Sequence, residues 1–288
     1  SSCSIQPLSP GRARDSFPSI ARVIVNPAVR ICAAGTACLI FLPQTLPHWW
    51  LASLVSHFLL HLGLTAGFLC AIALYRKLLL TALGCAASIG FAAFLLVTTP
   101  VLEPIDGRGV TLVSQNLAAW NRRRSPAVDM LLREAPDIVV LQEYTPRWHD
   151  ALESVRNPYP HQVQVAGRGA FGIAFLSRYP FFRSSHFRIG HRQRAVIDVE
   201  IGAPAFAGRL LAVHFDTPTS REEFAVQDQE LGELAAYVDQ LSEDFLIVGD
   251  FNNTPYAPNF RRFLADTGLS ISSPVWLATW PAALDILG

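Results

Sequence analysis

The chain has 288 residues, of which 51% are hydrophobic and 16% charged, too apolar for an ordinary soluble enzyme of this length. Its formal net charge of zero averages two unlike parts: residues 1–100 carry six Lys/Arg against one acid, and residues 101–288 carry 17 Arg against 22 acids. That apolar excess argues against an ordinary soluble enzyme, and the charge asymmetry hints at membrane contact.

Residues 1–28 are rich in Ser, Pro and Arg without apolar periodicity and read as a basic mobile tail. Residues 29–101 read as a membrane domain of about three transmembrane helices. The apolar stretches run from Ile31 to Pro43, Trp49 to Tyr75 and Leu78 to Val101. Crossing a bilayer core of ~30 Å takes ~20 residues, which the second and third stretches supply and the first barely does. Trp49, Trp50 and Tyr75 edge the second stretch as interfacial anchors. Arg12, Arg14, Arg22 and Arg30 precede or open the first stretch, and Arg76-Lys77 separates the second from the third, so these parts are expected to face the cytoplasm. Everything beyond Pro100 then lies on the other side. Ser53, His57 and His61 recur at intervals of four and are expected on one helix face, as interhelical hydrogen-bonding groups or, less simply, a histidine metal or haem site. The five cysteines have no zinc-like spacing and no disulfide pattern.

Residues 102–109 form a linker, and residues 110–288 a second domain of alternating strand and helix signals. Strands are expected at 110–116, 137–142, 161–166, 171–177, 194–201, 208–214 and 245–249, with helices at 126–135, 146–155, 220–241 and 257–266. Ser125-Pro126 and Thr145-Pro146 pair an N-cap with a first-turn proline, and Ser220 to Glu223 is a capping box. A strand–helix–strand opening followed by a meander indicates an α+β sandwich rather than a Rossmann fold.

Four apolar strands in this domain end in polar groups: Asn116, Glu143 just after Gln142, His214 and Asp250, with Asn252 two residues further on. Glu143 and Asn116 would offer a carboxylate and an amide oxygen to a hard cation such as Mg²⁺. Asp250 could orient or deprotonate a water, Asn252 and His214 could donate to a phosphate, and Arg194 could add positive charge; the set fits metal-assisted phosphoester hydrolysis. Taken singly, Asp250-Phe-Asn252 also fits a plain turn, and His214 a satisfied strand-end histidine.

Ser114-Gln-Asn116, Leu141-Gln-Glu143, Val213-His214, Gly249-Asp-Phe-Asn252 with Thr254-Pro255, and Thr279-Trp-Pro281 resemble the endonuclease/exonuclease/phosphatase superfamily. That group includes pancreatic-type deoxyribonuclease, neutral sphingomyelinases and inositol polyphosphate 5-phosphatases, and the chain resembles a bacterial branch with N-terminal membrane spans. The resemblance implies a four-layered α/β sandwich (DNase I-like) and a hydrolase acting on a phosphodiester or phosphomonoester with Mg or Mn. It makes Glu143 the principal metal ligand with Asn116 beside it, Asp250 and Asn252 the water- and phosphate-orienting pair, and His214 a catalytic histidine. Asp285 matches the acid that orients a second histidine. The chain ends at Gly288 before the Ser-Asp-His motif that supplies that histidine, so the domain is expected to be truncated at its C-terminus. The alternative is a catalytically impaired phosphate-binding or sensing module on the same fold. The expected partners are the lipid bilayer and a phosphoester substrate (a lipid headgroup, a small phosphoester or nucleic acid), with no protein partner evident. The expected location is the bacterial inner membrane, multi-pass, with the catalytic domain extracytoplasmic.

Overall fold

The computed structural model describes residues 20–102, 109–167, 169–203 and 206–275. The N-terminal part is helical: α1 (Ile20–Thr45), α2 (Trp50–Ser56), α3 (Leu59–Tyr75) and α4 (Leu79–Val97). Two segments, Ile24–Thr45 and Leu79–Val97, are long and apolar enough to cross a membrane, and the bent pair α2 and α3 offers a third crossing if taken as one. Outward-facing Leu64, Phe68, Leu80 and Leu83 give these helices an apolar exterior, as a lipid-facing bundle requires.

Three details differ from the sequence reading. Helix α1 begins at Ile20, inside the segment read as a mobile tail, and it continues through Pro27 and Pro43. The stretch from Trp49 to Tyr75 is not one helix, because α2 and α3 meet at 69°. The break falls at His57 and Phe58, so Ser53 and His61 sit on different helices, and the shared face expected of Ser53, His57 and His61 does not form. Hydropathy registers that all three residues lie in an apolar stretch, but it does not register where the backbone turns.

Among the described residues, the second part has eight strands in two sheets. One sheet has the order β1 (Leu112–Asn116), β2 (Ile138–Gln142), β4 (Ile173–Ser177), β3 (His161–Val165). The other runs β5 (Phe181–Ile189), β6 (Arg194–Ala203), β7 (Phe206–His214), β8 (Phe245–Asp250). Residues alternate faces along a strand, and the burial follows that rule. Ile138 and Val140 of β2 meet Ile197, Leu210 and Ala212 between the sheets. Val139 and Leu141 turn outward onto Leu131 of α5 (Ser125–Glu134), Trp148 of α6 (Pro146–Ala151) and Val155 of α7 (Glu153–Arg156). Leu211 and Val213 turn outward onto Leu231 and Leu234 of α8 (Arg221–Val238) and onto Phe260 and Phe263 of α9 (Pro258–Thr267). The result is the four-layered α/β sandwich expected.

Strand β5 had no counterpart in the sequence reading. Among the described residues it pairs only with β6 at the edge of its sheet, and its Arg183, Ser184 and His186 are exposed, so it lacks the apolar run that marks an interior strand.

In both sheets the strands that matter are parallel neighbours. β1 pairs β2 with Asn116 opposite Gln142, and β7 pairs β8 with His214 opposite Asp250. Parallel pairing brings the carboxyl ends of both strands to one edge, which is why four separate segments deliver polar groups to a common place. Gly249 makes the β7–β8 approach possible: its φ is +146°, and a Cβ there would sit 2.0 Å from the Val213 carbonyl oxygen.

A buried ion cluster ties the second sheet to its helix. Arg209 of β7 grips Asp198 of β6 through Nε and Nη2, both at 2.7 Å, and Tyr237 of α8 donates to the same carboxylate at 2.5 Å. Burial opposes ionisation of Asp198, but these bonds outweigh it and hold the carboxyl below its ordinary range. Removing one partner leaves an uncompensated buried charge. Arg209→Ala is therefore expected to destabilise the domain by about 3–5 kcal/mol, whereas the paired change Asp198→Leu/Arg209→Met should cost far less than the two single changes together. Thermal unfolding of the three variants in detergent checks this.

Candidate active site

Asn116, Glu143, His214 and Asp250 do meet at one edge of the two sheets. The link is direct: Asn116 Nδ2 donates to Asp250 Oδ2 at 2.8 Å, joining the last residue of β1 to the last residue of β8. Asp250 Oδ1 accepts the backbone N–H of Asn252 at 2.8 Å. Both carboxylate oxygens are thus fixed, and each retains acceptor capacity for a further proton donor.

Glu143 follows β2 and turns out of the sheet with φ +56°, a left-handed conformation uncommon for a residue with a side chain. Its Oε2 accepts the N–H of Ala119 at 2.6 Å, and Ala118 N–H bonds Asn116 Oδ1 at 2.9 Å. The loop after β1 therefore orients both the carboxylate and the amide. On the other side, Tyr144 N–H bonds the carbonyl of Gly172 at 2.9 Å; a Cβ at Gly172 would lie 1.9 Å from the Tyr144 oxygen, so only glycine permits the contact.

Asn252 is also left-handed, with φ +47°, and one of its two amide hydrogens is used on the Phe215 carbonyl at 2.8 Å. The other remains for a ligand. His214 is 5% exposed, and its ring stacks on Phe171 with centroids 5.0 Å apart. Burial pushes its pKa below the ordinary value, against the nearby Asp250 and Glu143 carboxylates, which pull it upward. The lowered pKa favours the neutral imidazole at neutral pH, and among the described residues its buried Nδ1 has no partner.

Arg194 reaches this site, but not with a free guanidinium. Nε and Nη2 both bond Asp216 at 2.7 Å, and the guanidinium carbon lies 3.1 Å from the Phe171 ring centroid. Arg194, Phe171 and His214 form a stack, with the arginine at its far end from His214. Its charge acts on His214 through that stack, lowering the imidazole pKa further.

The donor set suits a hard cation. Glu143 and Asn116 offer oxygen ligands of the kind Mg²⁺ takes while keeping several waters. Among the described residues, no three His, Cys, Asp or Glu side chains close on one point, so an all-protein cage is not built here. Asp285 and Thr279-Trp-Pro281 lie outside the described residues.

The profile described as the Endonuclease/Exonuclease/phosphatase family matches residues 107–285. The chain belongs to this family. The fold is DNase I-like, and parts of the chain are similar to solved structures at low identity. SmcL is 21% identical over 59% of this chain and 74% of its own, with a TM-score of 0.48. A β-hairpin deletion mutant of beta toxin from Staphylococcus aureus is 18% identical over 55% of this chain and 72% of its own, at 0.45. TDP2 from C. elegans is 16% identical over 50% of this chain, which spans 48% of TDP2, at 0.43. No curated protein matches the chain. Membership supports a phosphoester-hydrolase type of activity.

Several residues of this family member's site were not singled out from the sequence. Asp216 holds Arg194 and also Arg192, whose Nη1 lies at 2.9 Å. Gln227 Nε2 bonds the carbonyls of Asp216, Phe251 and Asn252, and Glu230 Oε2 accepts the Asp216 N–H at 3.0 Å. Both are fully buried in α8. One signal was present: Gln227 and Glu230 fall within the stripe of Phe224, Leu231, Leu234 and Val238, where a polar side chain needs a partner.

Glu230 sets a pH dependence. Burial, reinforced by the neighbouring Asp216 carboxylate and opposed by the Asp216 N–H, pushes its pKa up to about 8. Folding therefore raises the pKa, and the folded state keeps a proton that the unfolded chain has released. This stabilisation is complete below the ordinary carboxylate range and is lost as pH rises through about 8. Melting temperature should fall across that window in the parent protein, and Glu230→Gln should flatten the fall. An equally steep profile in the variant would assign the dependence elsewhere.

Proposed function

We propose that this chain is a membrane-anchored, metal-dependent phosphoesterase hydrolysing a phosphodiester or phosphomonoester on the extracytoplasmic side of a bacterial inner membrane. The observation that carries the reading is the hydrogen bond from Asn116 to Asp250, which unites metal-type ligands from one sheet with a base-type carboxylate and a neutral histidine from the other.

Glu143 and Asn116 would hold Mg or Mn, which when bound neutralises charge on phosphoryl oxygens. Asp250, held from both sides by Asn116 and Asn252, is oriented to accept a proton from an attacking water. Neutral His214 donates a hydrogen bond to a phosphoryl oxygen, and the remaining Asn252 amide hydrogen does the same. Arg194 keeps Phe171 against His214 and lends positive charge behind it. Asp285 fits the role of orienting a further acid–base group. The substrate class stays at the phosphoester of a lipid headgroup, a small molecule or nucleic acid. The acidic balance of residues 101–288 weighs against a tightly bound polyanion, whose affinity rests on Lys and Arg.

Two features support the orientation. At one end of the helices Arg76 Nε bonds Asn26 at 2.9 Å, beside Lys77 and Arg30. At the other end Tyr256 of the catalytic domain packs on Ile40, Leu59 and Leu95. Cationic residues at the end away from the catalytic domain fit a cytoplasmic face for that end.

Glu143→Ala is expected to lower Mg²⁺-dependent hydrolysis of a phosphodiester panel by about 10²–10³-fold, the range for a lost electrostatic group. Unchanged turnover would falsify the assignment. His214→Ala should cost about 10²–10⁴-fold in kcat. A phosphatase reporter fused after Leu102 should be active only outside the cytoplasm, and cytoplasmic activity overturns the orientation.

A further inference from the structure

The membrane helices touch the domain beside its site, at the segment that follows Asp250. The break between α2 and α3 presents His57, whose Nδ1 lies 3.1 Å from Thr254 Oγ1. Thr254 is the second residue after Asn252. From it a polar chain runs inward. Thr254 N–H bonds Asn253 Oδ1, Asn253 Nδ2 bonds Gln227 Oε1, and Gln227 Nε2 bonds the carbonyls of Phe251 and Asn252. Further contacts flank the tie. Tyr256 is inserted among Ile40, Leu59, Ala92 and Leu95. Arg261 of α9 donates to the Leu95 carbonyl at 2.9 Å and to the Thr98 and Thr99 hydroxyls, both at 3.2 Å, at the carboxyl end of α4.

The held segment needs holding. Asn252 sits at φ +47°, in the left-handed region, a conformation that Asn adopts when its surroundings and local hydrogen bonds hold it there. A histidine at the break is also costly in itself. Among the described residues its buried Nε2 has no partner, so an apolar side chain would suit the helix pair better. Among the described residues, the bond to Thr254 is the ring's one hydrogen bond.

We propose that His57 is a positioning residue: through Thr254, the membrane helices hold the Asp250–Asn252 turn in its working conformation. The helical part is then a component of the active site as well as its anchor. The proposal rests on the phosphoesterase reading for its catalytic consequence, but not for its structural one.

The test uses the full chain in lipid nanodiscs, with His57→Leu, His57→Asn, Thr254→Val and the double variant His57→Leu/Thr254→Val. The first readout is amide hydrogen exchange. His57→Leu should accelerate exchange in residues 251–257 by roughly three- to tenfold, the factor one hydrogen bond is worth, with β6 and β7 unchanged. Thr254→Val should do the same, and the double variant should do no more than either alone. His57→Asn, whose amide reaches the Nδ1 position, should restore the parent rate. The second readout is hydrolysis of bis(p-nitrophenyl) phosphate with Mg²⁺. There His57→Leu should lower kcat by about tenfold or more at constant KM, as a displaced catalytic group does. Unchanged exchange, additive effects, failure of His57→Asn to restore, or parent-like kcat in His57→Leu each overturns the proposal. A parent protein that hydrolyses nothing counts against the phosphoesterase reading, and the exchange data then decide the clamp by themselves.

Discussion

A single amide–carboxylate hydrogen bond, from Asn116 to Asp250, spans the two sheets at the edge where their parallel strands end. The site could not exist without the geometry that allows it. β1 must pair with β2, and β7 with β8, in the registers that set Asn116 opposite Gln142 and His214 opposite Asp250. A one-residue slip in either pair would send the polar ends to the opposite face. The registers are protected by burial on both sides of each inner strand, since Ile138 and Val140 face the other sheet while Val139 and Leu141 face helices. Packing fixes the positions of the chemical groups, and the groups themselves contribute little to fixing them.

Strain and polar burial concentrate at the same edge. Glu143 and Asn252 both adopt left-handed backbone conformations, and Gly172 and Gly249 sit where a Cβ would collide with a carbonyl. A neutral histidine, a raised Glu230 and the Arg194–Asp216 pair lie behind them. Each feature costs stability locally and is maintained by the cores on either side. The arrangement makes the carboxylates and amides rigid before any ligand arrives, which is what electrostatic stabilisation of a phosphoryl group requires.

The fold was legible because interior strands of an α/β sandwich are short apolar runs with polar ends, a pattern visible in one dimension. Asn116, Glu143, His214, Asp250 and Asn252 could be found for that reason. Strand β5 was not legible, because an edge strand with Arg183, Ser184 and His186 exposed has no such run. The break at His57 was equally silent, since both helices flanking it are apolar. Arg194 illustrates a deeper limit. Its position in a strand that reaches the site was readable, but its commitment to Asp216 depends on a residue 22 positions away. Pairing of that kind is a tertiary fact, as is the burial of Gln227 and Glu230 in a helix whose stripe is otherwise apolar.

The bend between α2 and α3 also bears on how these helices would fit a bilayer. With α2 turned by 69° and packed toward the catalytic domain, the apolar rod left to cross is α3 alone, 17 residues. At 1.5 Å per residue that is about 26 Å, whereas the 19 residues of α4 give about 28 Å, close to a ~30 Å hydrocarbon core. In a bilayer, a rod as short as α3 would leave no slack for tilting, and lipid meeting it would have to thin at a fraction of a kcal/mol per ångström of mismatch. The end of the bundle nearest the α/β domain carries the contacts to Thr254 and Arg261, so a shift of these helices would be felt at the turn that bears Asn252.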